Sequence, residues 1–232
     1  MRKVTIILPT KDNEIQLDNA IKTLFESTNY PNYKLIIVES NTKRFHELSY
    51  PVFLMKNWQK IKEKLPWFPE IEIITTSSKG INIKAINVGI ESTKDEDILL
   101  IHDDMSFFKL YKRDWLAEMA SVEYSKSNMG MITYLNNIGR SGTEYLENLH
   151  WIGSWFCYIP RETINKVGIL DEEFEIGEDI DYSYRVQKEG LILAVTDFWF
   201  QHHQIRDTPH NPQTEEIKKR NAERFRNKHG IK

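Results

Sequence analysis

Four short apolar runs rich in β-branched residues punctuate the first hundred residues, and each leads into a stretch with a different period. Lys3–Pro9 (KVTIILP), Tyr33–Ser40 (YKLIIVES), Ile71–Thr76 and Ile98–Ile101 (ILLI) read as buried strands. Between the first two, Leu17, Ala20, Ile21, Leu24 and Phe25 recur at helical spacing, and Asp12 or Asn13 offers a cap. Phe53–Leu65, Asn82–Glu91 and Trp115–Tyr124 are expected helices after the later strands. Such alternation builds βαβ units. It predicts an α/β fold with a mostly parallel central sheet flanked by helices. Ligands of open α/β sheets sit beyond the carboxyl ends of the strands. Pro9–Asp12, Glu39–Thr42, Ser77–Gly80 and His102–Ser106 are therefore the segments where a site is expected.

The second half is patterned differently. Gly130–Leu135 and the aromatic-rich Trp151–Pro160 read as extended. Asp179–Glu189 reads as a helix closed by Gly190, Leu191–Val195 as a strand, and Thr214–Lys228 as a charged helix. At 232 residues the chain has room for one large α/β domain or two small ones. Its single cysteine, Cys157, excludes a disulfide framework and any multi-thiolate metal site. Cys157 lies in an aromatic run, where packing is the expected role. No apolar run approaches the ~18 residues of a membrane span. The opening residues lead straight into VTIILP, so no signal peptide is expected, and a soluble protein of the cytoplasm is. The net charge of −3 conceals a local +4 over residues 205–232 and −7 elsewhere, which argues against a nucleic-acid partner.

Three clusters carry chemistry. Asp103 and Asp104 follow ILLI directly. Two carboxylates at a strand end repel, and a divalent cation relieves the repulsion. His102 adds an imidazole, which suits manganese better than calcium. The second cluster spans Asp171 to Asp181, with seven acids in eleven residues. Apolar and aromatic residues interleave with the acids, so part of the segment is expected to face inward, where a carboxylate can act as a tuned base. Acids at a helix start are also favoured by the dipole, which gives Glu178 and Asp179 a purely structural alternative. The third is His202-His203, which follows three aromatic residues and serves either as a ligand or as an ordinary packed histidine. There is no Walker loop, no GxGxxG and no HExxH. Gly153-Ser154 lies among aromatics without a GxSxG elbow.

In order, these segments resemble the family-two glycosyltransferases of GT-A fold. VTIILPTKDN is similar to the family's opening strand and turn, and KLIIVESNT to its second strand, with Glu39-Ser40 where the family has Asp-x-Ser. KGINIKAINVGI matches through Gly80, Ala85, Asn87 and Gly89. ILLIHDDM occupies the place of the Asp-x-Asp metal motif, with His102 at the first acid and Asp104 at the last. The segment from Trp151 to Gly190 resembles the acceptor side and carries the Glu-Asp motif as Glu178-Asp179, and FWFQHH resembles the terminal histidine motif. The Gln-x-x-Arg-Trp motif of processive synthases is missing, which favours single-sugar transfer.

The resemblance covers about residues 3–203. It implies a GT-A, Rossmann-like domain over 1–204, with a nucleotide-binding half at about 1–105, an acceptor and catalytic half at about 106–204, and a basic helical tail at 205–232. It implies transfer from a nucleotide-diphosphate sugar to an acceptor hydroxyl with inversion. Asp179 would be the general base, with Glu178 the alternative. Mn2+ or Mg2+ would be held by Asp104, helped by His102 or Asp103, with His202 or else His203 as the later ligand. Pro9, Thr10, Glu39, Ser40, Lys79, Asn87 and Asp103 would bind the donor, and Lys84 is a further candidate for the diphosphate. Glu39 accepting from a pyrimidine N–H favours UDP or dTDP. Trp151, Trp155 and Phe156 would stack on sugar faces, unless they are core. The acceptor would be a glycan or a lipid-linked sugar. The tail would dock on anionic lipid as a peripheral membrane contact or pack on the domain as a solvated helix. A nucleotidyltransferase and a non-catalytic nucleotide- or glycan-binding relative are the competing readings.

Overall fold

The computed structural model describes residues 2–11, 13–40, 58–59, 62–63, 68–76, 82–108, 113–125, 128–134, 137–140, 150–198, 200–203 and 212–231. The helix expected over Phe53–Leu65 falls largely outside them, as do Asp12, Lys79 and Gly80. The strands are β1 (Val4–Thr10), β2 (Tyr33–Ser40), β3 (Glu70–Thr76), β4 (Asp97–Ile101), β5 (Met105–Ser106), β6 (Met129–Tyr134), β7 (Ile138–Arg140), β8 (His150–Ile152), β9 (Phe156–Ile159), β10 (Ile192–Thr196) and β11 (Gln201–His202). The helices are α1 (Glu14–Ser27), α2 (Asn82–Glu91), α3 (Trp115–Ser125), α4 (Arg161–Val167), α5 (Glu178–Lys188) and α6 (Pro212–His229).

Seven strands form one sheet in the order β10-β6-β9-β4-β1-β2-β3. All run parallel except β9, which is antiparallel to both β4 and β6. The chain leaves β1 towards β2 and β3, then crosses to β4 on the other side. The switch point of the sheet therefore lies between β1 and β4. Successive strand residues face opposite ways, so the apolar runs feed two layers. Ile6, Leu8, Leu35, Ile37, Leu99 and Ile101 pack with α1 and α3, while Ile7, Ile36, Val38, Ile98 and Leu100 pack with α2, α4 and α5.

Two expectations change. Trp151–Pro160 is not one extended segment, because a turn at Gly153–Trp155 separates β8 from β9. A Cβ at position 153 would lie 2.3 Å from Trp155 Nε1 and 2.4 Å from Asn137 Oδ1, so only glycine lets the indole close over the turn. Asn13 occupies the N-cap position of α1 but makes no cap hydrogen bond, and its amide bonds the Gln16 side chain instead.

The basic tail meets the acidic segment. Lys228 pairs with Asp171 at 2.8 Å, Arg224 with Glu173, and Arg220 with Glu175. Asp181, fully buried on α5, takes Arg185, Lys228 and His229, each at 2.8 Å. Beneath these pairs Phe174, Ala222 and Phe225 form a small core, with Ile180, Tyr184 and Ile231 against it. Among the described residues no helix is long and apolar enough to cross a membrane.

Candidate active site

The site assembles at the carboxyl ends of β1, β2 and β4. Thr10 closes β1 and is level with Glu39 in β2, and both are buried, as are Pro9 and Ser40. The Thr10 hydroxyl donates to Asp103 Oδ2 at 2.6 Å, bridging the switch point. Burial pushes the Asp103 carboxyl up to about 6. The Thr10 bond opposes that rise, and the neighbouring Asp104 charge adds to it.

After β4 the chain turns through His102, Asp103 and Asp104 into the two-residue β5, which pairs antiparallel with β11. Phe198 and Phe200 fix β11 from behind. Both are nearly fully buried, and Phe200 packs on Phe107, Trp115, Tyr134 and Phe156. The register sets His202 opposite Met105, and the His203 amide donates to the Asp104 carbonyl at 2.8 Å.

This pairing separates the two histidines. His202 joins His102 and Asp104, and the three offer ligand atoms that lie within 4.8 Å of one another. His203 instead contacts the Ser106 hydroxyl through Nε2 at 2.7 Å, and Asn19 donates to the same hydroxyl at 2.8 Å. His203 is therefore not part of the group. Asp103 stands outside it too, engaged with Thr10.

The donor set fits a divalent cation. Asp104 Oδ1 is buried 3.1 Å from His202 Nε2, yet the contact lacks hydrogen-bond geometry and that oxygen has no hydrogen-bond partner among the described residues. Burial alone would raise the Asp104 carboxyl, but the adjacent imidazoles of His202 and His102 outweigh it and hold it below the usual range. Burial lowers His102 to about 4; the Asp104 charge opposes this, and His202 reinforces it. The triad thus presents an ionised carboxylate and, from His102, a neutral imidazole near pH 7, the forms that bind metal. One carboxylate with two imidazoles suits a divalent transition metal better than calcium.

The acid pair opens α5. Gly177 caps the helix at φ +88°, a backbone region that favours glycine, and so turns Glu178 and Asp179 into the first turn. Ser154 donates to Glu178 Oε1 at 2.8 Å, and Asp179 Oδ1 accepts the Ile180 amide at 2.9 Å. Both acids are recessed but retain partial exposure. Burial raises both carboxyls, and the Glu178 charge pushes Asp179 higher still, well above the usual range. Ser154, passed over in the sequence for want of an elbow motif, is the residue that anchors this pair. A serine between aromatics gave no signal of that role.

The remaining candidates are engaged with protein groups. Asn87 is buried, and its amide donates to the Leu170 carbonyl at 2.9 Å and to Glu172 at 3.1 Å while its oxygen accepts the Leu170 amide at 3.1 Å. It clamps α2 to the acidic segment and presents no uncommitted polar atom to a donor. Trp151 lies across Gly139 of β7, where an added Cβ would come within 2.2 Å of its ring. Trp155 stacks flat on His202, with centroids 4.1 Å apart and planes at 10°. Phe156 is core. Cys157 is buried in the sheet, and burial raises its thiol strongly, as expected of a packing residue.

No family model matches the chain. The chondroitin synthase of Pasteurella multocida is 23% identical over 249 residues, taking in 87% of this chain and 24% of that protein. The O-antigen biosynthesis protein RfbC of Myxococcus xanthus is 23% identical over 229 residues, 84% of this chain and 16% of its own length. The chain thus spans a quarter or less of these two relatives. Among solved structures, the mannosyltransferase PcManGT of Pyrobaculum calidifontis, in complex with GDP-Man and Mn2+, superposes with a TM-score of 0.61 at 12% identity. That match covers 85% of this chain and 55% of the other. Residues 1–349 of S. aureus TarS, in complex with UDP, superpose with a TM-score of 0.59 at 13% identity, covering 85% and 58%. The chain has the GT-A fold of the glycosyltransferases.

Proposed function

We propose that this chain is a metal-assisted glycosyltransferase module that moves one sugar from a nucleotide-diphosphate donor to an acceptor hydroxyl with inversion. The observation that carries the reading is the turn Gly153–Trp155. Its serine touches the raised acid pair, its tryptophan touches the His102–Asp104–His202 triad, and it lies against the carboxyl end of β4. Leaving-group chemistry and base chemistry thus meet on one turn. The likeness to nucleotide-sugar-dependent folds supports the same reading.

The nucleotide lies against Pro9, Thr10, Glu39 and Ser40, with Asp103 beside it; Glu39 suits a pyrimidine N–H, so UDP or dTDP is the expected donor nucleotide. A divalent ion held by His102, Asp104 and His202 supplies Lewis-acid neutralisation of the diphosphate when bound. Asp179 accepts the proton of the acceptor hydroxyl as that oxygen bonds to the anomeric carbon. The anomeric carbon–oxygen bond breaks, and the diphosphate departs with the electron pair. A base with a raised proton affinity is the more effective one, provided it is ionised. Glu178 is held by the Ser154 hydroxyl, which favours Asp179 for the role.

The test incubates the protein with UDP-, dTDP- and GDP-sugars and Mn2+ or Mg2+, and assays the nucleotide product. Nucleoside diphosphate is expected. With inorganic pyrophosphate added, formation of nucleoside triphosphate and sugar 1-phosphate would make the chain a nucleotidyltransferase. Neither product, with donor binding intact and an acceptor panel present, would make it a binding module.

A further inference from the structure

We propose that Trp155 is a positioning residue of the metal triad, acting through the face of His202, in place of the acceptor platform its aromaticity suggests. The inference rests on the metal reading of the triad. Three contacts lead to it. The indole lies flat on the His202 imidazole, with centroids 4.1 Å apart and planes at 10°. The Trp155 carbonyl accepts the His102 amide at 3.1 Å, so one residue meets two members of the triad. Tyr134 closes edge-on against the indole at 5.6 Å, and Gly153 leaves the space it occupies.

The physical need is specific. His202 comes from a two-residue strand, and its hydrogen-bonded neighbour His203 is turned towards Ser106. An imidazole on such a short support is free to rotate about its side-chain bonds unless a flat partner restrains it. A metal ligand fixed before the ion arrives loses less freedom on binding, and residues that orient ligands commonly contribute about 10–100-fold in metal affinity. One face of Trp155 is already covered by His202, which removes that face from sugar stacking. The backbone contact to His102 survives any side-chain substitution, so the ring's contribution is separable from it.

The experiment titrates Mn2+ into the full chain and follows the electron paramagnetic resonance signal of the aquo ion, with no substrate present. Trp155→Leu keeps apolar volume against Tyr134 but loses the flat face, and Trp155→Phe keeps a flat face. Trp155→Leu is expected to weaken Mn2+ binding about 10-fold and Trp155→Phe to stay within about twofold of wild type. In a His202→Ala background the leucine substitution should add less than about twofold, because its partner is gone. Thermal unfolding by circular dichroism confirms that each variant is folded. Unchanged affinity in Trp155→Leu overturns the proposal, as does an equal loss in both backgrounds. A wild-type chain that is folded but binds no Mn2+ overturns the metal reading itself, a failure visible before any variant is compared.

Discussion

His202 and His203 are chemically identical neighbours, and only the geometry of β11 tells them apart. Along a strand, adjacent side chains face opposite ways, so at most one of such a pair can join a cluster on one face. The acid pair shows the same economy at α5. Asp179→Asn is expected to lower transfer by about 10²–10⁴-fold while leaving UDP affinity, read by calorimetry, unchanged. Near-wild-type turnover in that variant would move the base to Glu178 or elsewhere. The raised carboxyls also give the protein two opposite responses to pH. Asp179 must be ionised to act, so transfer falls as pH drops through its raised pKa. Stability moves the other way: above the ordinary carboxylate range the folded state holds more protons than the unfolded one, so this pair's contribution weakens as pH rises towards the raised pKa. Rate and thermal midpoint, measured as pH rises from the ordinary carboxylate range, should therefore diverge, and Asp179→Asn should flatten that component of both. The sequence made the acids and the metal candidates legible because they cluster, two acids directly after a buried strand and seven within eleven residues, at places where an α/β sheet presents its ligands. It left the roles of Asn87, Trp151 and Trp155 open, because asparagine and tryptophan look the same whether they bind a ligand or hold an element in place.

The elements were the most legible level. Strands buried on both faces read as unbroken apolar runs, and β1, β2 and β4 stand within a residue or so of where periodicity put them. The break between β8 and β9 escaped notice because its turn residues are outnumbered by aromatics. The pairing of α6 with the acidic segment was also missed. Its signal was present as a +4 tail and a run of seven acids, two excesses of opposite sign. That pairing divides the acids by role: Asp171, Glu173, Glu175 and Asp181 are neutralised by the tail, and Glu178 and Asp179 are not. Asp181→Ala should cost about 3 kcal/mol in denaturant unfolding, because it removes the fully buried carboxylate on which Arg185, Lys228 and His229 converge. Arg220→Ala, at an exposed pair, should cost less than about 1 kcal/mol. Equal costs would mean that α6 is held by its apolar contacts alone.

For the molecule as a whole, one α/β sheet with two covered faces accounts for both core layers and places the site at its switch point. The proposed ligands come from the two halves of the chain, His102 and Asp104 from the end of β4 and His202 from β11. Mn2+ at about 100 times its dissociation constant should add about 2.7 kcal/mol to stability. The thermal midpoint should rise accordingly, fall back with EDTA, and respond little in His202→Ala. No shift in the wild type at saturating Mn2+ would argue that the ligands are not held ready in the folded chain.

The reversed direction of β9 bears on how this cleft comes into being. A parallel strand in its place would deliver its leading turn to the opposite edge of the sheet, away from β4's carboxyl end. Running backwards, β9 brings Ser154 and Trp155 to that end, but only once it has inserted between β4 and β6, strands laid down earlier in the chain. Pairings between distant parts of a chain form late, after the entropy of closing long loops has been overcome. A half-folded chain can pair β1 with β2 and still have no anchored acid pair and no seated His202. Tight Mn2+ binding would then mark the finished fold, and in refolding experiments it should appear with the last kinetic phase.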